Sequence, residues 1–166
     1  QGDASAQFNL GVMYDDGEGV KQDDTEAVRW YTKAAEQGYA NAQNNLALMY
    51  YNGEGVKQDY VEAVRWYTKA AEQGDANAQN NLALMYRQGY GVKQDYAETV
   101  RWFTKAAEKG HTSAQYNLGL MYYYGKGVKQ NYAVAVGWYT KAYEQGEGPG
   151  TILNADGVRK DLPKAF

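Results

Sequence analysis

Apolar residues return along this chain in two alternating stripes. Across residues 40–52, Ala42, Leu46, Met49 and Tyr50 stand at i, i+4, i+7 and i+8, one face of an α-helix. The positions between them are largely polar, so the spacing predicts an amphipathic helix A there. A second stripe, Ala63, Trp66, Tyr67, Ala70 and Ala71, falls at i, i+3, i+4, i+7 and i+8 and predicts a helix B over 60–73. Asp59 followed by Glu62 has the spacing of a capping box, in which the Asp carboxylate accepts from first-turn amides. Gly74 stands where helix B must stop and reverse, the work of a C′ glycine.

The pair of stripes repeats. Leu10, Leu46, Leu82 and Leu118 are spaced by 36, as are Tyr14, Tyr50, Tyr86 and Tyr122, and Trp30, Trp66, Trp102 and Trp138. Asp23 with Glu26 and Asp95 with Glu98 reproduce the capping pattern. The fourth copy keeps only a simpler cap, with Asn131 followed by Val134. Gly38, Gly110 and Gly146 repeat the stop signal of Gly74.

A unit of two short helices cannot bury both stripes alone, so units must stack into a continuous core. Small residues at 11, 47, 83 and 119 and the alanine pairs 34/35, 70/71 and 106/107 leave room for close helix approach. The recurring tryptophans and tyrosines fill what remains. This predicts an all-α solenoid of antiparallel helix pairs, an array over 1–146 with units near 2–37, 38–73, 74–109 and 110–145. Residues 147–166 form an irregular partial repeat or tail. Gly148, Pro149 and Gly150 read as loop.

The order A-x-A-x-x-x-L-[GA]-x-x-Y-x-x-G-x-G-V-x-x-D-x-x-x-A-x-x-W-Y-x-K-A-A-x-x-G, read from Ala40 to Gly74, resembles the Sel1-like repeat family. Residues 2–146 carry the resemblance. It implies right-handed superhelices related to tetratricopeptide arrays, whose members mostly serve as protein-interaction scaffolds and adaptors, many of them bacterial. Some cysteine-rich bacterial members carry a disulfide in each repeat and have been linked to β-lactam binding; this chain has no cysteine. Gln1-Gly2-Asp3-Ala4 echoes Gln73-Gly74-Asp75-Ala76, and the run from Gly157 to Ala165 resembles the family's G-V-x-x-D-x-x-K-A, so the chain reads as an excerpt of a longer array.

Composition narrows the partner by exclusion. The formal charge is −3, which argues against a nucleic-acid or anionic-membrane surface, since both require a concentrated basic face. No apolar run reaches the roughly 18 residues of a membrane span. The absence of cysteine suits a reducing cytoplasm and an oxidising periplasm alike. The compartment is therefore open, with a periplasmic or secreted bacterial setting preferred.

Candidate chemistry is sparse. The Gly17-x-Gly19, Gly53-x-Gly55, Gly89-x-Gly91 and Gly125-x-Gly127 pairs lack the strand context and the third glycine or Lys-Ser/Thr of a phosphate loop. They read as turns, with Val20, Val56, Val92 and Val128 plugging the core. His111 is the sole histidine and has no partner at metal-ligand or general-base spacing, which leaves it a surface residue. No catalytic residue, cofactor or required metal is indicated. Asn9, Asn45, Asn81 and Asn117 recur beside the leucines and are expected to hydrogen-bond to the stacked neighbour.

Function is expected where copies differ, because stacking fixes the core of each unit and leaves a partner-facing surface free to vary. The remaining face of helix A, concave by tetratricopeptide analogy, carries Phe8, Asp15 and Asp16 in the first unit, and Asn44, Tyr51 and Asn52 in the second. Asn80, Arg87 and Gln88 follow in the third, and Tyr116, Tyr123 and Tyr124 in the fourth. Tyrosine and arginine often anchor interfaces, and asparagine can bond an extended backbone twice. A protein or peptide segment along this groove is the expected partner. A carbohydrate or cell-wall fragment held on the aromatic faces is the alternative, and an enzyme is disfavoured.

Overall fold

A computed structural model describes residues 2–145. Eight α-helices of 13 residues each, and no strand, occur among them: α1 (Ala4–Asp16), α2 (Asp24–Glu36), α3 (Ala40–Asn52), α4 (Tyr60–Glu72), α5 (Ala76–Gln88), α6 (Tyr96–Glu108), α7 (Thr112–Tyr124) and α8 (Tyr132–Glu144). Each helix packs on the next in chain order, which is the solenoid the periodicity predicts. Gly146, the loop at 147–151 and the partial repeat lie outside the described residues.

The helix ends follow the expected chemistry with one difference. Asp23 accepts from the amides of Thr25 and Glu26 at 3.0 and 3.1 Å, and Asp59 and Asp95 do the same in their units. The reciprocal arm of a capping box is missing. Glu26, Glu62 and Glu98 turn outward to Arg29, Arg65 and Arg101 at 3.0, 2.8 and 2.8 Å. The cap amide they would have satisfied is already taken, since the Asp23, Asp59, Asp95 and Asn131 amides donate to the carbonyls of Tyr14, Tyr50, Tyr86 and Tyr122 at 2.9 to 3.0 Å. The start of each helix B is thereby tied to the body of its own helix A.

Both stripes point inward in the inner units. Ala42, Leu46 and Met49 are buried, as are Ala63, Trp66, Tyr67, Ala70 and Ala71. One core cluster runs from Ala27 to Met121. Position in the array modulates this: Leu46, Leu82 and Leu118 are at most 1 % exposed, whereas the equivalent Leu10 is 37 % exposed, because no helix in the described residues precedes α1. Trp66 and Trp102 are buried, while Trp30 and Trp138 are only half-buried.

The paired glycines have separate tasks. Gly17, Gly53, Gly89 and Gly125 close helix A in the left-handed region. The second glycine makes an inter-unit contact: a Cβ on Gly55 would lie 2.1 Å from the Asp24 carbonyl oxygen, and on Gly91 or Gly127 it would lie 2.2 Å from that of Tyr60 or Tyr96. Each A–B loop thus presses on the start of the preceding helix B. Val56, Val92 and Val128 then turn into the core.

Candidate functional site

The variable face of helix A holds a recess of about 150 Å³ between α3 and α5. Leu48 and Tyr51 come from α3; Asn81, Leu84, Met85, Arg87 and Gln88 come from α5; Tyr67 of α4 closes the floor and Tyr90 of the following loop forms a wall. Three of the residues expected from the sequence, Tyr51, Arg87 and Gln88, meet here. Tyr67 and Tyr90 could not be placed from helix A periodicity, because one belongs to helix B and the other to a loop.

Tyr51 is half-buried and lies 5.4 Å from the ring of Tyr60 and 6.4 Å from that of Tyr90. Tyr60 and Tyr90 stack at 4.8 Å with planes 11° apart. Burial pushes the Tyr51 hydroxyl above its ordinary value, with the neighbouring tyrosines adding to the shift. Arg87 donates to the Asn117 side-chain oxygen at 3.1 Å, which holds the guanidinium toward α7.

Other expected groove residues have structural partners. Phe8 is half-buried, 5.8 Å from Tyr31 and 5.2 Å from Tyr39, and belongs to the core rather than to an open groove. Asn80 is buried and donates to Asn81 at 3.4 Å. Tyr116 is buried against Tyr139 at 5.5 Å and so is packed between α7 and α8 rather than open to the groove. Asn44 donates to Asn45 at 3.3 Å and accepts from Asn81 at 3.2 Å, so Asn81 bridges to the neighbouring unit as expected. Asp15 accepts from the Tyr31 hydroxyl at 2.9 Å. Burial raises its carboxyl above the usual value and the surrounding carboxylates of Asp16, Asp24 and Glu54 raise it further, against the lowering effect of that hydrogen bond.

The exposed remainder is Asp16, Asn52, Gln88 and Tyr124, with Tyr123 half-buried. Asn52 donates to Glu54 at 3.0 Å. Tyr123 meets Tyr124 edge-on at 4.9 Å and Tyr132 at 5.2 Å. His111 differs from expectation: it is half-buried and caps α7, its Nδ1 accepting from the Ala114 amide at 3.2 Å. A buried glutamine series also escaped the sequence reading, with Gln43, Gln79 and Gln115 donating to the carbonyls of Ala35, Ala71 and Ala107 at 3.0 to 3.1 Å.

No group of three or more His, Cys, Asp or Glu side chains that could hold a metal ion occurs among the described residues. No helix there is long and apolar enough to cross a membrane.

These features define a helical-repeat protein with a recessed, variable helix A face. The Sel1 repeat model matches residues 4–39, 40–75, 76–111 and 112–147, and the chain belongs to the Sel1 repeat family. Among solved structures, a protective antigen of uropathogenic Escherichia coli with an SLR fold is similar at 51 % identity and a TM-score of 0.85, covering 87 % of this chain and 31 % of its own. A Sel1 repeat protein from Oxalobacter formigenes is similar at 42 % identity and a TM-score of 0.83, covering 88 % and 60 %. Cysteine rich protein B of Helicobacter pylori is similar at 27 % identity and a TM-score of 0.60, covering 80 % and 95 %. The chain thus spans 31 % and 60 % of the lengths of the first two. No curated protein sequence matches.

Proposed function

We propose that the chain is a non-catalytic interaction scaffold that takes a peptide or protein segment along the helix A face. The observation that carries this reading is the recess at the α3–α5 junction, which joins the apolar Leu48 and Leu84 to Tyr51, Arg87, Gln88 and Tyr90 on a face where the units differ. An apolar side chain inserted there would be enclosed by Leu48 and Leu84, while the rim polar groups meet its backbone. Protein interaction is the role typical of Sel1 repeats, and the recess gives this chain a place for it.

The test is to pan a displayed peptide library on the protein and on Leu48→Asp, a variant at an exposed rim position. Enriched peptides should carry an apolar or aromatic anchor and bind the variant at least about tenfold more weakly, the scale of losing one anchor contact. Absence of enrichment, or equal binding to the variant, rejects the site. Tyrosine or tryptophan fluorescence changes with glycan fragments and no peptide enrichment would favour the carbohydrate alternative.

A further inference from the structure

The middle residue of each Gly-x-Gly turn is a variable position that helix A periodicity cannot see. Because the second glycine of the turn lies against the start of the preceding helix B, residues 54, 90 and 126 are carried over to residues 24, 60 and 96. Residues 15, 51 and 87, near the end of the preceding helix A, complete each group.

The groups change character together. At the first junction they are Asp15, Asp24 and Glu54, three carboxylates close enough for Asp24 and Glu54 both to act on Asp15. At the second they are Tyr51, Tyr60 and Tyr90, a contiguous ring cluster that opens into the recess. At the third they are Arg87, Tyr96 and Lys126, with the Lys126 ammonium 5.4 Å from the centre of the Tyr96 ring. The lysines that follow each turn, Lys21, Lys57, Lys93 and Lys129, are the same in every unit and do not alter the sequence of characters. One lip of the groove therefore runs acidic, aromatic, cationic from α1 to α6.

We propose that this lip reads the order of side chains on a bound extended segment, selecting one that presents a basic residue at the first junction, an apolar or aromatic residue at the second and an acidic residue at the third. This rests on the peptide-groove reading above and adds its register. Neighbouring helices pack at about 8–10 Å and an extended chain advances about 3.3 Å per residue, so successive anchors are about three residues apart. Like charges at the ends reject a segment seated with its charges exchanged, and opposite charges steer it into the matching seat.

The experiment compares two peptides of equal composition carrying lysine, tryptophan and glutamate at about three-residue spacing, one with the tryptophan between the two charges and one with it at the end. Their affinities for the protein and for the double variant Glu54→Lys/Lys126→Glu are read by fluorescence anisotropy. Both substituted residues are exposed loop positions, and a thermal melt verifies that the variant folds. The peptide with tryptophan between the two charges should bind the native protein roughly tenfold more tightly, the double variant should lose most of that preference because Asp15, Asp24 and Arg87 then stand against an opposite charge in their own group, and the preference should fade in high salt. If both peptides bind with equal affinity and lose binding to Leu48→Asp, the lip does not read order, yet the groove stands. If neither binds and the library yields no peptide, the groove reading fails and the lip with it.

Discussion

Lys109 stands where the other units have Gln37, Gln73 and Gln145, and a buried polar atom beside it is stranded. The Gln37 amide donates to Gln7 at 2.7 Å and the Gln73 amide to Gln43 at 2.7 Å, so in these two units the helix A glutamine has its oxygen satisfied by the end of helix B, whereas Gln145 accepts from Thr112 and leaves the buried Gln115 oxygen without a partner. The Lys109 ammonium reaches the Gly74 carbonyl, and the buried Gln79 oxygen has no partner. An unsatisfied buried acceptor costs about 1–3 kcal/mol, more than the few tenths to about 1 kcal/mol a cation contributes near a helix C-terminus. Lys109→Gln should therefore stabilise the array by about 1 kcal/mol net and raise the midpoint of a thermal melt by about 2–4 °C. An unchanged or lower midpoint would show that the introduced amide leaves the Gln79 oxygen unpaired, as Gln145 leaves that of Gln115.

At the scale of the element, α8 is the helix B that departs most from its siblings. In α2, α4 and α6 the tryptophan is flanked by two cations: Arg65 and Lys69 lie 4.7 and 4.2 Å from the Trp66 ring centre, and Arg101 and Lys105 lie 4.7 and 4.6 Å from that of Trp102. Trp138 has only Lys141, at 4.4 Å, because Gly137 replaces the arginine. A glycine inside a helix costs about 1 kcal/mol relative to a good helix former, and a Cβ at Gly137 would meet nothing within 4 Å. Gly137→Arg should raise stability by about 1 kcal/mol in denaturant unfolding, from helix propensity with a smaller cation–π share. A destabilised variant would mean that α8 has a neighbour on that face.

Across the whole molecule, three of the four units supply a phenol that packing holds neutral, the third having Phe103 at that position. Burial pushes the hydroxyls of Tyr31, Tyr67 and Tyr139 well above the ordinary phenol value, with nearby carboxylates or tyrosines adding to it. The unfolded chain would release these protons near pH 10, while the folded chain keeps them. The stability they confer is therefore intact below that pH and is lost as pH rises through it. Thermal melts should hold up to about pH 9.5 and fall steeply above it, with phenolate absorbance rising together with unfolding rather than before it. Tyr67→Phe should flatten that slope; an unaltered slope would place the alkaline sensitivity elsewhere.

The sequence alone determined the period, the two helices, their caps and the alanine and leucine core, because these follow from spacing along the chain and recur in every unit. The Asn81 to Asn44 bridge was equally legible, since a polar residue repeated beside a core stripe needs a partner in the next unit. Tertiary structure decided which variable residues share a surface. Helix A periodicity put Phe8 and Tyr116 beside Tyr51 and Arg87, but Tyr31 and Tyr139 of the opposing helices draw the first pair into the interior. It could not bring Tyr90 to Tyr51 or Lys126 to Tyr96, because those contacts pass from the loop of one unit to the helices of the one before. The physical reason is range: helix geometry fixes neighbours three and four residues apart, and only the packing of one unit on the next joins residues 30 or more apart.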